Sequence, residues 1–266
     1  MSDTSLMSVL ENLTREGSGV SAQIPDTWKQ GRTTYGGLIT SLLLATTLRN
    51  HTDLPPLRSA MINFIAPVSD TPVMTSRVLR QGRNVTAIEA VAMIGDQIVC
   101  QAQFVFGVAQ DSAIDLANAG PDTAAPETYD LLIPEQFQSL APKFQQNFEV
   151  RLIEGGRPLS GSTRAYLRAW IRHRDPSAHT GVLALMCLAD GLPPAVFPMF
   201  PKLGPNSSVN WMCNFLSETP ETEDGWWQME TSAERAQNGY SSQVMRMWNS
   251  RGELVVEGMQ SVLVFV

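Results

Sequence analysis

The sequence predicts an α+β protein in which one helix-and-sheet unit occurs twice in tandem. Two apolar segments of helical length, residues 38–50 and 180–190, are each followed by segments of strand character that polar turns separate. Between the copies, residues 111–147 are rich in Asp, Ala, Pro, Thr and Gln and lose their periodicity. Element order and spacing agree between the copies over roughly 80 residues, which indicates a duplicated domain and not a solenoid.

The first copy is predicted to combine a short N-terminal helix, an early strand, one long helix and a four-stranded meander. The motif Tyr35-Gly36-Gly37 opens the long helix, in which leucine is the commonest residue. Turn-forming residues, including Gly95-Asp96, separate the later strands. The predicted bounds are 5–13 and 38–50 for the helices and 20–28, 59–64, 73–81, 84–93 and 97–106 for the strands.

The second copy repeats this order around a helix that is apolar nearly all round and is therefore expected to be buried. Asp190 lies in the last predicted turn, before Gly191 and the pair Pro193-Pro194 end the helix. A carboxylate on a buried helix is costly unless it has partners, so Asp190 is the first candidate functional residue. The predicted strands are 148–153, 165–173, 207–215, 226–235, 241–249 and 254–266.

A long helix packed against a curved antiparallel sheet is the hot-dog arrangement. A single unit has one sheet face and one helix to hide, so units normally pair, and duplication within one chain supplies that pairing. The sequence therefore predicts a double hot dog with unit 1 at 1–110, a connector at 111–147 running over the surface, and unit 2 at 148–266.

The composition argues against several partners and locations. A formal net charge of −7 and an isoelectric point near 5.0 argue against nucleic acid or an anionic membrane. No apolar run reaches the ~18–20 residues that span a bilayer, and residues 1–13 lack the features of a signal peptide. Three scattered cysteines, Cys100, Cys187 and Cys213, indicate reduced, buried thiols in a cytoplasmic protein and not a disulfide framework or a metal site.

Six segments follow one another in the order TYGGL, FIAPV, RNVTAIEAV, FEVRLIEGG, YLRAWIR and LADGLPPAVF. Together they resemble the acyl-CoA thioesterase II family across nearly the whole chain except the connector. The resemblance implies a double hot-dog hydrolase that cleaves acyl-CoA thioesters without a covalent intermediate or a cofactor. It implies a catalytic trio at Asp190, Ser208 and Gln260, with Ser208 in place of the family's Thr and Asn210-Trp211 in place of a frequent Asp-His pair.

Superposition of the two copies predicts one site per chain. The first copy lacks the acid and the hydroxyl and shares only the glutamine. The superposed pairs are Thr46 with Asp190, Leu57 with Ser208, Gln103 with Gln260, and residues 61–64 with 212–215.

The residue types suit thioester hydrolysis, which needs an oriented water, a base and donors for the oxyanion. Asp190 is the candidate base, since burial and the nearby C-terminus of its own helix are both expected to raise its pKa. Ser208 and Gln260 together donate and accept hydrogen bonds and are expected to hold the water. Backbone N–H groups at Gly36-Gly37 or at Thr180-Gly181 are the candidate oxyanion donors.

The substrate pocket is predicted only in outline. Phe197, Trp211 and Met212 flank the Asp190 region together with Met199 and Phe200, and soft, aromatic side chains suit an acyl chain. Ordinary core packing explains each of them equally well.

Other hypotheses remain open. Asp190 and Ser208 both sit in sequences typical of turns. A protein that binds acyl-CoA without turnover has the same fold. A hot-dog enoyl-CoA hydratase needs a histidine beside its acid, but His179 precedes Asp190 by roughly 16 Å of helix. A homo-oligomer is expected, because double hot dogs often associate further.

Overall fold

The chain folds into three α-helices and fourteen β-strands in a computed structural model that describes residues 4–266. The helices are α1 Leu6–Glu11, α2 Gly36–Asn50 and α3 Val182–Leu188. The strands of the first half are β1 Thr14–Glu16, β2 Gly19–Ser21, β3 Lys29–Gln30, β4 Thr33–Thr34, β5 Leu57–Phe64, β6 Val73–Gln81, β7 Val85–Ile94 and β8 Gln97–Gly107. Those of the second half are β9 Phe148–Gly155, β10 Tyr166–His173, β11 Asn206–Phe215, β12 Trp227–Gln237, β13 Tyr240–Trp248 and β14 Leu254–Val264.

Twelve strands form one antiparallel sheet with a pseudo-two-fold arrangement. Strands β5 and β11 pair at its centre. Outward from them the order is β8-β7-β6-β2-β1 on one side and β14-β13-β12-β10-β9 on the other. Met61 pairs with Met212, the residue superposed on it from sequence, so the pseudo-two-fold axis passes through this pair. The predicted double hot-dog fold is confirmed. The unit bounds 1–110, 111–147 and 148–266 stay a prediction, and residues 1–3 lie outside the described residues.

The two long apolar segments lie against one another inside the sheet. Every residue of α2 from 37 to 47 is buried, as its lack of a polar face predicted. Hydrogen bonds tie α2 to α3: the Ser41 hydroxyl donates to the Leu183 carbonyl at 2.8 Å, and the Tyr35 hydroxyl donates to the Cys187 carbonyl at 2.8 Å. A Cβ atom at Gly37 would lie 2.2 Å from the Cys187 carbonyl oxygen, so glycine is required for this close approach.

The predicted strand at 20–28 is wrong over most of its length. Strand β2 ends at Ser21, and Pro25 precedes a 3-10 turn at Asp26–Trp28. The turn brings the buried Trp28 ring to 6.3 Å from the Tyr35 ring, centroid to centroid, and burial of this large side chain outweighs the local preference for extended backbone.

The connector contains more regular structure than its composition predicted. Three 3-10 segments lie at Pro126–Thr128, Glu135–Leu140 and Lys143–Asn147. Phe144 stacks on Tyr35 with the ring centroids 4.1 Å apart and is buried. This part of the connector is therefore anchored to the start of α2 and does not merely run over the surface.

The helix–helix contact can be tested with Gly37→Ala. The added methyl group forces α2 away from the Cys187 carbonyl, and we expect the free energy of unfolding to fall by about 1–3 kcal/mol. Asn50→Ala, at the exposed end of the same helix, should change it by less than about 0.5 kcal/mol. Urea denaturation measures both, and equal stability of the two variants would show that the contact is not tight.

Candidate active site

Asp190 lies at the junction of the two helices. Helix α3 ends at Leu188, two residues earlier than predicted, because the Gly191 N–H bonds back to the Leu188 carbonyl in a tight turn. The turn aims the Asp190 side chain at the first residues of α2. A Cβ atom at Gly36 would lie 2.5 Å from Asp190 Oδ2, so only glycine leaves room for the carboxylate there.

The pKa of Asp190 is raised to about 7, with burial as the main cause. Asp190 is half-buried by its solvent-exposed surface, although many protein atoms surround its carboxyl group. Hydrogen bonds from the Gln260 side chain and the Gly37 backbone N–H oppose the rise by stabilising the charged form. The predicted rise in pKa is present with burial as its main cause, and the carboxylate also accepts from the Gly37 N–H at the positive end of α2.

Gln260 joins the predicted residues into one hydrogen-bonded cluster. Its Nε2 atom donates to Asp190 Oδ1 at 2.9 Å and to Ser208 Oγ at 2.9 Å. The Gln260 side chain is 4% exposed, so its amide depends on protein partners. The structure thus brings Asp190, Ser208 and Gln260 within hydrogen-bond reach, and their catalytic role stays a prediction.

A β-bulge at Val209 aims Ser208 into the site. Ser208 and Trp211 are three residues apart, and strict alternation would place them on opposite faces of the sheet. The pairing of β11 with β14 shifts between Ser208 and Asn210, and Val209 is the extra residue. Ser208 and Trp211 consequently share the inward face with Gln260, which pairs with Trp211.

The predicted match of Gln103 with Gln260 is wrong by one residue. The bulges at Val99 in β8 and Val255 in β14 are equivalent, which places Phe104 opposite Gln260 in the superposed units. The turns that precede β8 and β14 differ in length, so aligning the strands by these turns gives an offset of one residue. A slip of one residue reverses the face of the sheet, and Gln103 is exposed.

The first copy therefore retains none of the three groups. Phe104 and Leu57 are both buried apolar residues at the positions of Gln260 and Ser208. Thr46, which the sequence superposition places on Asp190, donates its hydroxyl to the Leu42 carbonyl of its own helix at 2.8 Å.

Of the predicted oxyanion donors, the Gly36 N–H stays a prediction. The Gly37 N–H is engaged by the Asp190 carboxylate, and Thr180-Gly181 lies at the opposite end of α3 from Asp190. Two other donors are on the inward face. The Ser208 hydroxyl accepts from Gln260 and keeps its proton to donate, and the buried Trp211 Nε1 has no partner within residues 4–266.

The other substrate-binding candidates fall in different places. Met212 is 39% exposed on the outer face of β11, so the prediction that it lines the site is wrong. Phe197 lies in a 3-10 turn with its ring 5.0 Å from that of Phe200, centroid to centroid. Met199 and Phe200 border a groove of about 240 Å³, whose lining does not include Phe197. A cavity of about 490 Å³ near α1 is lined by none of the three predicted catalytic residues.

Sequence reasoning missed Gln243. Its Nε2 atom donates to Gln260 Oε1 at 2.7 Å, and its Oε1 atom accepts from the Ala195 backbone N–H at 2.9 Å. Residues 241, 243, 245 and 247 of β13 alternate as buried positions. A glutamine at one of these inward positions was the signal that could have identified it.

The described residues show neither a metal site nor a membrane span. Within residues 4–266, no three His, Cys, Asp or Glu side chains are grouped in a way that could hold a metal ion. None of the helices in this range has the length and apolarity required to cross a bilayer.

Comparisons with solved structures agree with the fold. The curved sheet and its two enclosed helices define a double hot-dog protein. A hot-dog protein of unknown function from Alicyclobacillus acidocaldarius is 21% identical, with 97% of each chain covered and a TM-score of 0.84. The tesB protein of Mycobacterium avium subs paratuberculosis is 19% identical, with 98% of each chain covered and a TM-score of 0.76. The acyl-CoA thioesterase II TesB2 of Mycobacterium marinum is 19% identical over 98% of each chain, with a TM-score of 0.74.

Family models identify the chain more closely. The model of the acyl-CoA thioesterase N-terminal domain matches residues 24–107, and that of the C-terminal domain matches residues 119–264. The chain therefore belongs to the acyl-CoA thioesterase family, which confirms the resemblance seen in the sequence. A comparison with curated protein sequences finds no match.

The raised pKa of Asp190 has a consequence for stability. The folded protein holds this proton up to about pH 7, while an unfolded chain releases it near the ordinary value of 3.8. Between these values the folded state binds more protons, so the free energy of unfolding falls as the pH rises. We expect wild type to lose about 2 kcal/mol relative to Asp190→Asn between pH 5 and pH 8 in urea denaturation. Parallel pH curves for the two proteins would contradict the raised pKa.

Proposed function

We propose that this protein hydrolyses an acyl-CoA thioester to a free acid and CoA by direct attack of water. The observation that carries the proposal is the hydrogen-bonded cluster of Asp190, Ser208 and the buried Gln260 in a chain of the acyl-CoA thioesterase family. Asp190 takes a proton from water as the water oxygen adds to the thioester carbonyl. The carbon–sulfur bond then breaks, and the CoA sulfur leaves as a thiol that carries the proton held by Asp190.

Asp190 is the base in this proposal. Two donors, Gln260 and the Gly37 N–H, hold its carboxylate in place, and its remaining lone pairs are free to accept a proton from water. A pKa of about 7 leaves a substantial ionised fraction at neutral pH and makes the carboxylate more basic than an exposed aspartate.

Ser208 and Trp211 supply the donors. Because Ser208 Oγ accepts from Gln260, its own proton points to another acceptor, either the water or the substrate carbonyl. The unpaired Nε1–H of Trp211 is on the same face and has the chemistry to bind the oxyanion. Ser208 is bonded to Gln260 within the cluster, and Trp211 is paired with Gln260 across β11 and β14.

Hydration of an enoyl-CoA is less well supported. The His173 ring is bonded to the Ala184 carbonyl at 2.9 Å, and burial lowers its pKa to about 4. The His179 ring is bonded to the His173 carbonyl at 3.0 Å. Both rings are therefore held by backbone atoms away from the Asp190 cluster.

The environment and assembly are part of the same proposal. Three buried free cysteines suit a reducing cytoplasm. Three exposed methionines lie side by side on the outer face of the central strands and suit association of copies into a homo-oligomer; they are Met61, Met212 and Met259.

Release of CoA thiol tests the activity. Wild type should release thiol from acyl-CoAs of suitable chain length. We expect kcat to fall roughly 10²- to 10⁴-fold in Asp190→Asn, which loses the base, and in Gln260→Ala, which loses the donor to both partners. Gln103→Ala, at the exposed glutamine of the first copy, is the control and should retain wild-type activity. Binding of acyl-CoA without thiol release at any chain length would favour the non-catalytic alternative.

The pH profile tests the role of Asp190 separately. Since the base must be ionised, kcat/KM should rise with pH through about 7 and level off above it. Thiol release measured from pH 5 to pH 9 gives the midpoint. A flat profile, together with full activity of Asp190→Asn, would remove Asp190 from the mechanism.

A further inference from the structure

We infer that Gln243 is a positioning residue that fixes the direction of the Gln260 amide and thereby sets which groups in the site donate and which accept. The inference rests on the proposed function, since it concerns the same cluster. It is carried by a chain of buried hydrogen bonds that starts at a backbone N–H.

The direction of the chain follows from its first member. The Ala195 N–H can only donate, so the Gln243 atom that it meets at 2.9 Å must be the carbonyl oxygen. The Gln243 NH₂ group then faces Gln260 and donates to its Oε1 atom at 2.7 Å. With that oxygen engaged, the NH₂ group of Gln260 must point to Asp190 and Ser208.

The direction matters because a glutamine amide is nearly symmetric in shape. If the Gln260 amide were reversed, its oxygen would face the Asp190 carboxylate and would accept a hydrogen bond from the Ser208 hydroxyl. Once Asp190 has accepted a proton from water, it can itself donate, and the reversed amide then becomes an acceptable partner. Gln243 opposes this reversal in every protonation state of Asp190.

Burial makes the arrangement rigid. Gln243 is 1% exposed and Gln260 is 4% exposed, so water does not replace a missing partner easily. The two residues are directly paired across β13 and β14, so a movement of either one would disturb the pairing of these strands.

Two substitutions separate positioning from simple structural support. Gln243→Met keeps the length of the side chain and removes both hydrogen bonds. We expect kcat to fall roughly 10- to 100-fold with little change in KM. We also expect the acidic limb of the kcat/KM profile to move to higher pH, because Gln260 then stabilises the Asp190 carboxylate less well.

Gln243→Glu is the conservative variant. When protonated, its carboxyl group accepts from Ala195 and donates to Gln260, as glutamine does. When ionised, it can only accept and therefore reverses Gln260. Activity should approach that of wild type at low pH and fall at high pH, which adds a descending limb that wild type and Gln243→Met lack.

Gln228 provides the matched control. It is a buried glutamine on β12, bonded through Nε2 to Thr123 Oγ1 at 2.6 Å and not to the Asp190 cluster. Gln228→Met and Gln228→Glu should keep wild-type kcat and wild-type pH profiles. Thermal unfolding of each variant checks that it is folded.

A readout independent of turnover completes the test. The infrared band of the protonated carboxyl group that disappears in Asp190→Asn reports the titration of Asp190 directly. Its midpoint should move to higher pH by about half a pH unit in Gln243→Met. The inference is overturned if the midpoint does not move in Gln243→Met. It is also overturned if Gln243→Met has wild-type kinetics while Gln260→Ala is impaired. Either result leaves the proposed function intact. Absence of thiol release by wild type overturns the proposed function, and the infrared midpoint still decides the inference.

Discussion

The contact between the Asp190 carboxylate and the first turn of α2 is the constraint on which the site depends. Glycine at 36 and 37 lets the two helices approach until the carboxylate touches the backbone of α2. The acid belongs to the second copy and the helix that receives it belongs to the first. Both copies therefore build the single cluster, although only one supplies its side chains.

The same contact also affects the pKa of Asp190. Burial raises the pKa of Asp190, and the α2 N-terminus and Gln260 limit the rise, so that the carboxyl group titrates near neutrality. A carboxylate with neither partner would be costlier to ionise, and one in open solvent would be a weaker base. Burial outweighs the two hydrogen bonds, and the net result is a pKa of about 7.

Apolar periodicity was sufficient to predict the duplicated fold, and the resemblance to the thioesterase family pointed to Asp190, Ser208 and Gln260, which lie in one hydrogen-bonded cluster. The sequence was insufficient for features that depend on register. Gln103 was matched with Gln260 because the turns at residues 95 and 252 look alike, and only the paired bulges reveal the offset. Gln243 escaped notice because its importance lies in a hydrogen bond across the sheet. Gly36-Gly37 were expected at the site as oxyanion donors, but the hydrogen bond from the Gly37 N–H to the Asp190 carboxylate was not predicted, since the two residues are about 150 positions apart.

The bulge in β11 has an exact mate in the first copy, where Arg58 is the extra residue of β5. That copy has kept the bent backbone while filling the hydroxyl and amide positions with Leu57 and Phe104. The two copies therefore share the bend in the backbone, and they differ at these two positions in side chain alone.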